Sequence, residues 1–421
     1  MNRNVAALAA FNALRGAAVG GFMALLPMYM ASIGYSMSLI GGAAALAGLA
    51  VSLVLPGSGY AIDALGSRVV VVIAGSLLVV APLLPAYTRS LALLAVSYAL
   101  FLASFLVGQP ARTAFLARSV ESSRFGYYVG LTSMAFSASR LVGPAAAGYS
   151  AEALGFRASF LIVAGLAAAG LAAFAALSVR PPGEEGLRPR GSLAEAYRAA
   201  LRPSRSLASV LVFVALDRFS WTFWAPTLSA YLYKRGFTKA EVGVLMSLMG
   251  ATNTGLLPLA GRAVDRGGAW MWVAASEVLG ATGALGLASA SSFTGAALAL
   301  AAVGASISVW VPSYSALIAR ITPRERLGEA YSLANSVRGL AGAPGPYIGG
   351  LLYDHIAPAA PLEASAALLL ASAAYAATAV RRAERRGSEK LREPRSRPRG
   401  PQAEAPGRPG PLAEGGPHRR G

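Results

Sequence analysis

The sequence contains no cysteine and only two histidines, His355 and His418. Without thiols there is neither a disulfide framework nor a thiolate site, and two imidazoles do not build a metal cage, so no cofactor or metal is expected. Charge is scarce at 13% of residues, and lysine occurs only at 234, 239 and 390, so nearly all of the 37 basic residues are arginine, which reads as codon bias. No glycine-rich segment ends in the lysine of a phosphate-cradling loop, which argues against a primary pump. Nor does a serine, histidine and acid set exist with its histidine at membrane depth, and the chain is expected not to be an enzyme.

What is abundant is apolar surface. In a chain of 421 residues, 55% are hydrophobic and the mean hydropathy is +0.53, more than a water-soluble domain of this size can cover, so its solvent is lipid. A net charge of +18 would on a soluble protein suggest nucleic acid. Here the basic residues avoid the apolar runs and gather between and after them, which is the pattern of membrane orientation, and no nucleic-acid partner is expected.

Runs of the roughly 20 residues that cross a bilayer fall near 5–31, 37–59, 68–87, 90–112, 126–150 and 156–179, then 207–233, 239–261, 269–290, 293–318, 327–352 and 359–380. Only closed helices satisfy their backbone groups in hydrocarbon, so these are twelve helices of an all-α polytopic membrane protein. The first run lacks a small-residue cleavage site before a soluble domain and reads as a retained helix. The organisation is an N-terminal six-helix bundle over 1–179, a central loop over 180–206, a C-terminal six-helix bundle over 207–380 and a basic tail over 381–421. That tail is too poor in apolar residues to order itself and is expected to be dispensable for transport.

One set of loops carries Arg68, Arg112, Arg118, Arg124, Arg180, Arg188, Arg190, Arg198, Arg202, Arg205, Arg262, Arg266, Arg320, Arg324 and Arg326; the other has only Arg89, Arg157, Lys234, Arg235 and Lys239. The richer side is cytoplasmic by the positive-inside bias, which puts both termini and the central loop on the cytoplasmic side of the cell membrane.

The two bundles repeat. At a constant offset of 202, the distance from Gly59 to Gly261, residues Gly34, Gly41, Pro56, Asp63, Gly66, Pro110, Arg118, Arg124, Gly126, Gly143, Pro144 and Gly148 match Gly236, Gly243, Pro258, Asp265, Gly268, Pro312, Arg320, Arg326, Gly328, Gly345, Pro346 and Gly350 without a gap. Two similar units of equal orientation imply a pseudo-two-fold axis along the membrane normal.

The loop after the second helix reads Gly59-Tyr-Ala-Ile-Asp63-Ala-Leu-Gly66-Ser-Arg68, and its twin reads Gly261-Arg262-Ala-Val-Asp265-Arg266-Gly-Gly268. Glycine at 59 allows helices to approach, Gly66 permits a tight turn and Asp63 suits a helix N-terminus. Together with the repeat, this loop resembles the signature of the major facilitator superfamily, over residues 5 to about 380. The resemblance implies a secondary transporter that works by alternating access as a monomer, with the two loops latching the halves together when the cytoplasmic side is shut. Ala64 stands where the family has a basic residue, and the second copy lacks its final basic pair, so the latch is expected to be weak. Gly143-Pro144-Ala-Ala-Ala-Gly148 and Gly345-Pro346-Tyr-Ile-Gly349-Gly350 are similar to a Gly-Pro signature of antiporter branches; kinking and close packing of helices is the other reading. Arg112, in Gln109-Pro110-Ala-Arg112, is similar to a family arginine at that helix end and is equally well read as an interfacial anchor.

Ionisable residues at membrane depth are functional candidates by default. Arg15, Arg140, Asp217, Arg218, Glu277 and Arg338 all fall inside the apolar runs. Helical spacing puts Asn12 with Arg15, Asp217 with Trp221 and Trp224, and Tyr331 with Asn335 and Arg338 on common faces. Arg15 and Asp217 hold equivalent places in the two repeats and are expected to meet across the cavity, which the first and seventh helices line in the family. A midplane site is expected in which Trp221, Trp224, Trp310 and Tyr314 enclose an apolar or cationic group while Arg15, Arg140 or Arg338 pairs an anionic one. The alternative for Asp217 is a buried ion pair with Arg15 or Arg218, and for Glu277, on a helix peripheral in the family, a structural role. For proton coupling Asp217 is the candidate carrier. Export of amphiphilic small molecules is the leading reading. The absence of an acid from the first helix and the excess of arginine suit carriage of an organic anion instead, and sugar carriage also stands.

Accessibility labelling is expected to place residues 180–205 on the same, cytoplasmic, side as both termini. Labelling of that segment from outside, or an odd number of crossings, overturns the topology.

Overall fold

The computed structural model describes residues 2–54, 57–182, 205–322 and 327–392. Pro56, Arg188, Arg190, Arg198, Arg202, Arg324, Arg326 and the tail beyond 392 lie outside the described residues.

The first half comprises α1 (Arg3–Ser32), α2 (Met37–Val54), α3 (Gly57–Leu65), α4 (Ser67–Tyr87), α5 (Leu91–Leu106), α6 (Gly108–Ser119) and α7 (Phe125–Leu177). The second comprises α8 (Arg205–Thr222), α9 (Leu228–Lys234), α10 (Lys239–Arg266), α11 (Ala269–Ser289), α12 (Phe293–Ile321), α13 (Leu327–Gly342), α14 (Gly345–His355), α15 (Ala360–Tyr375) and α16 (Arg381–Arg392). Ten helical segments among the described residues are long and apolar enough to cross a membrane. The 53-residue α7 breaks at Gly155, whose φ of 82° only glycine adopts without strain, and so makes two crossings. The eleventh crossing is shared by the shorter α13 and α14. The architecture is therefore two bundles of six crossings.

Local chemistry sets the ends. Thr238 accepts from the Glu241 amide and Glu241 returns the bond to the Thr238 amide, a reciprocal cap that fixes the start of α10. Gly34 and Gly236, at the repeat offset, take φ of 96° and 94° to turn the chain between crossings. Gly66 has φ 84°, but its twin Gly268 has φ −69°, so the two signature loops differ in backbone.

The helices pack most tightly where the repeat places glycine. A methyl group on Gly41 would collide with the Pro346 carbonyl, and one on Gly243 with the Pro144 carbonyl. Gly148 lies against Lys239 and Gly350 against Met37, while Gly143 lies on α1 at Ala17 and Gly345 and Gly349 on the seventh crossing at Thr222 and Phe223. Packing thus accounts for Gly143, Pro144, Gly148, Gly345, Pro346, Gly349 and Gly350. Gly59 and Gly261 meet nothing within 4 Å. The expected close approach at these two positions is absent because the helix ends spread apart there.

That contrast defines the conformation: the bundles meet at the face opposite the arginine-rich loops and part toward the arginine-rich one. Asp354, at the end of α14, accepts from the amides of Met37 (3.1 Å) and Ser38 (2.7 Å) at the start of α2. Its repeat equivalent, Glu152, accepts from the amide of Lys239 at 2.9 Å at the start of α10, and Lys239 Nζ donates to the Ala151 carbonyl at 3.1 Å. Two carboxylates thus cap helix N-termini of the opposite bundle, where the unpaired amides and the helix dipole favour an anion.

The stretch from Arg381 is helical rather than structureless as far as Arg392. Glu384 explains it: its carboxylate accepts from the amides of Ala269 (3.0 Å) and Trp270 (2.9 Å) and from Arg320 Nη1 (2.8 Å), tying α16 to the start of α11. Such a contact between distant segments leaves no mark in local composition.

Each carboxylate cap contributes about 1 kcal/mol, so Asp354→Ala with Glu152→Ala shifts the balance toward the conformation open at this face by about thirtyfold. Because the chain has no native cysteine, spin labels at Arg89→Cys and Ser291→Cys report it as a longer distance population; an unchanged distribution refutes the capping role.

Candidate functional site

Two polar pockets, a buried cavity in the first bundle and a packed cluster in the second, occupy equivalent positions of the repeat. In the first, Arg15 projects from α1 and is 4% exposed. Its Nε and Nη1 find no hydrogen-bond partner. Its guanidinium lies 4.3 Å from the Phe136 ring centre, and the rings of Phe11 and Phe105 are each 5.9 Å away. Arg15 opens on a cavity of about 300 Å³ shared with Asn12, Gln109, Arg112, Thr132 and Ser133, and no carboxylate lines it. Asn12 donates to the Thr132 carbonyl at 3.1 Å and keeps its own side-chain oxygen unpaired. Arg112 is 7% exposed. Its side chain runs back over Gly108, where a β-carbon would meet Nη1 at 2.6 Å. Burial in this pocket corrects the reading of Arg112 as an interfacial anchor.

The second pocket has the opposite character. Asp217 of α8 and Glu277 of α11 are each 1% exposed, and one turn on from each, Trp221 packs on Gly280, which sets the two carboxyl groups on facing helix surfaces. Arg338 Nη2 stands 3.7 Å from Asp217 Oδ2. The Arg338 guanidinium stacks 4.0 Å from the centre of Trp310 and 5.3 Å from that of Tyr314. Those two rings are themselves stacked at 4.6 Å. Trp310 and Tyr314 keep their polar atoms unpaired, as do both carboxyl groups.

The offset of 202 carries Arg15 onto Asp217, Arg112 onto Tyr314, Gly108 onto Trp310 and Phe136 onto Arg338. A cation on an aromatic ring in one bundle becomes a carboxylate beside a cation in the other.

Most expected site residues fall in these pockets, with some differences. Arg15 and Asp217 do not form an ion pair across the cavity; Asp217 is met by Arg338 inside its own bundle, because the eleventh crossing leans on the seventh at this depth. Arg140 is exposed, with its guanidinium nitrogen 4.0 Å from Met23 Sδ. Asn335 is exposed one turn before Arg338. Trp221 packs on Gly280 of α11. Trp224 stays beside Trp221, with ring centres 5.4 Å apart, although α8 ends at Thr222, a short 3₁₀ turn follows, and the Trp224 indole donates to Ser365 at 3.1 Å in the core. The sequence reading also missed Gln109, whose one signal is its place three residues before Arg112, and Thr132 and Ser133, which no spacing links to Asn12 or Arg112.

In the signature loops, Asp63 pairs with Arg118 at 3.4 Å and Arg68 bonds Ser178 at 2.9 Å, both within the first bundle. Asp265 and Arg266 are exposed, and Arg320, the equivalent of Arg118, pairs instead with Glu384. Neither loop bridges the bundles, as the parting at this face requires.

A family model described as Major Facilitator Superfamily matches residues 8–346 and again 210–414. No curated protein matches. Among solved structures the chain is similar to a D-xylose-proton symporter, with TM-score 0.70 and 16% identity over 90% of this chain and 97% of that one. It is similar to a human organic anion transporter, with TM-score 0.64 and 18% identity over 89% and 99%. A third likeness is to the xylose transporter of E. coli in an inward-open conformation, with TM-score 0.66 and 16% identity over 90% and 95%.

Proposed function

The chain belongs to the major facilitator superfamily, and we propose that within it this protein is a proton-coupled carrier of a small organic anion. One observation carries the reading: Arg15 is buried with two nitrogens unpaired on a cavity that also holds Arg112 and is lined by no carboxylate. A buried cation without a partner is costly, and an anionic ligand relieves that cost with charge-assisted hydrogen bonds. The cavity takes a carboxylate or phosphate with a few carbons, and the amide and hydroxyl groups of Asn12, Gln109 and Ser133 suit its polar remainder. The likeness to an organic anion transporter supports the same class.

Export of an amphiphilic cation, which the aromatic residues first suggested, finds less support. The Trp224 indole is bonded to Ser365 in the core, and Trp310 and Tyr314 already face Arg338, which leaves Trp221 alone of the four expected rings to meet a ligand.

In this reading the arginine-rich face is cytoplasmic, the protein sits in the cell membrane as a monomer, and the conformation described is open to the cytoplasm. The anion binds in the first bundle, a proton binds at Asp217 in the second, and rocking of the bundles about the glycine contacts exposes both to either side in turn. Import with the proton follows if the outside is the more acidic side.

A thermal-shift screen of purified protein against organic acids, amphiphilic cations and sugars is expected to show stabilisation by acids, since a ligand stabilises the state it binds. Arg15→Gln is expected to weaken acid binding about tenfold to a hundredfold. Asp217→Asn is expected to keep the thermal shift while losing accumulation driven by an imposed pH gradient in vesicles. Stabilisation by cations alone overturns the anion reading, and gradient-driven accumulation by the Asp217→Asn variant overturns the proton assignment.

A further inference from the structure

Glu277 has no role in the carrier as described so far, and its position gives it one. It sits on the ninth crossing with 1% exposure and faces Asp217 beside the contact of Trp221 with Gly280. The indole N–H groups of Trp221 and Trp310 lie toward the two carboxyl groups, but no donor among the described residues makes a hydrogen bond to any of the four oxygens. The nearest cation, Arg338, is at 3.7 Å from Asp217 and spends its flat face on Trp310. Two carboxylates in contact away from water repel strongly, and one guanidinium does not offset both. A proton lying between the two groups removes the repulsion and satisfies an oxygen on each.

We propose that Asp217 and Glu277 hold one proton between them, and that this pair, not Asp217 alone, is the coupling site. The inference rests on the proton-coupled reading of the second pocket and deepens it.

The surroundings show what the proton changes. The pair faces Arg338 from the eleventh crossing, Arg218 from the seventh and Tyr314 from the tenth. Tyr98 of the fourth crossing faces Arg218 in turn. The twelfth crossing, which also packs on α11, presents no titratable residue over 364–374. Arg218 lies next to Asp217 in the chain and is exposed to the space between the bundles. With the proton bound, the pair carries one negative charge and Arg338 balances it, which leaves Arg218 free to attract an anion. When the proton leaves, both carboxylates are charged and Arg218 is drawn to them. Proton binding on the pair therefore makes a cation available on the cavity side, and anion binding holds the proton in place, because the two steps favour each other equally.

The pair has two independent readouts. In vesicles with an imposed pH gradient and a mixture of small organic acids as the probe, Glu277→Gln is expected to lose accumulation as fully as Asp217→Asn, with partial return in Glu277→Asp. In infrared spectra of the purified protein near neutral pH, the wild type is expected to show one protonated-carboxyl band that moves in heavy water. That band disappears or shifts in both Glu277→Gln and Asp217→Asn, because a proton shared between the two groups loses one of its holders in each. Wild-type accumulation and pH profile in Glu277→Gln, or a band unchanged in either variant, overturns the shared proton. If the wild type accumulates no organic acid, the anion reading fails, while the infrared result still decides whether the pair holds a proton.

Discussion

A charge taken to the middle of a bilayer must be answered by another charge, by water or by an aromatic face, at a cost of about 3 kcal/mol on insertion scales when it is not. The two bundles meet this demand at one position of the repeat with opposite signs. Arg15 is answered by Phe136, which screens only one of its faces and leaves two of its nitrogens bare. Asp217 is answered by Arg338, itself held on Trp310. The exchange of aromatic and cation between Phe136 and Arg338 follows the exchange of cation and acid between Arg15 and Asp217, so each position has changed together with its neighbour. A duplicated scaffold has in this way produced one pocket lacking an anion and another holding acid in excess of its nearest cation.

The same duplication fixes how the bundles touch. Gly41, Gly148, Gly243 and Gly350 bring backbones together where any side chain would collide, and Asp354 and Glu152 bind amides of the opposite bundle one turn further on. The glycine contacts are apolar and change little if the helices tilt about them. The two carboxylate caps are directional and confined to one face. Such a division gives a pivot and a clasp made of different materials, and only the clasp has to open for the bundles to tilt. At the other face Asp63 pairs with Arg118 and Arg320 with Glu384, each within its own half, so among the described residues these pairs do not resist the parting.

The number of crossings was legible because hydrocarbon leaves the backbone no choice but a helix, and runs of apolar residues then count themselves. The contact positions were legible because proline, aspartate and scarce pairs of glycine recur at one offset. Side-chain partners were harder. Whether Asp217 meets Arg15 or Arg338 depends on the tilt of α13 against α8, which no local pattern encodes. Spacing keeps Trp224 beside Trp221, but it does not show that α8 ends at Thr222 or that the Trp224 indole reaches Ser365. Glu277 reads as structural from sequence on the ground that its helix is peripheral, yet the side chain is long enough to reach the seventh crossing from there. Order in α16 depends on Glu384 meeting the start of α11, over 100 residues away in sequence.

On the proposed function, the distribution of charge bears on why substrate and proton would sit in different bundles. Arg15, Arg112, Arg140, Arg218 and Arg338 outnumber Asp217 and Glu277 at depth, so the empty carrier holds net positive charge near the midplane. Moving that charge through the change of access is unfavourable by itself, and an anion in the first pocket lowers the cost. Placing the acid pair in one bundle and the anion site in the other keeps the two ligands apart, and Arg218, facing the space between them, can still respond to both. Coupling then needs no contact between proton and substrate, only a shared preference for the charge state in which the bundles turn over most readily.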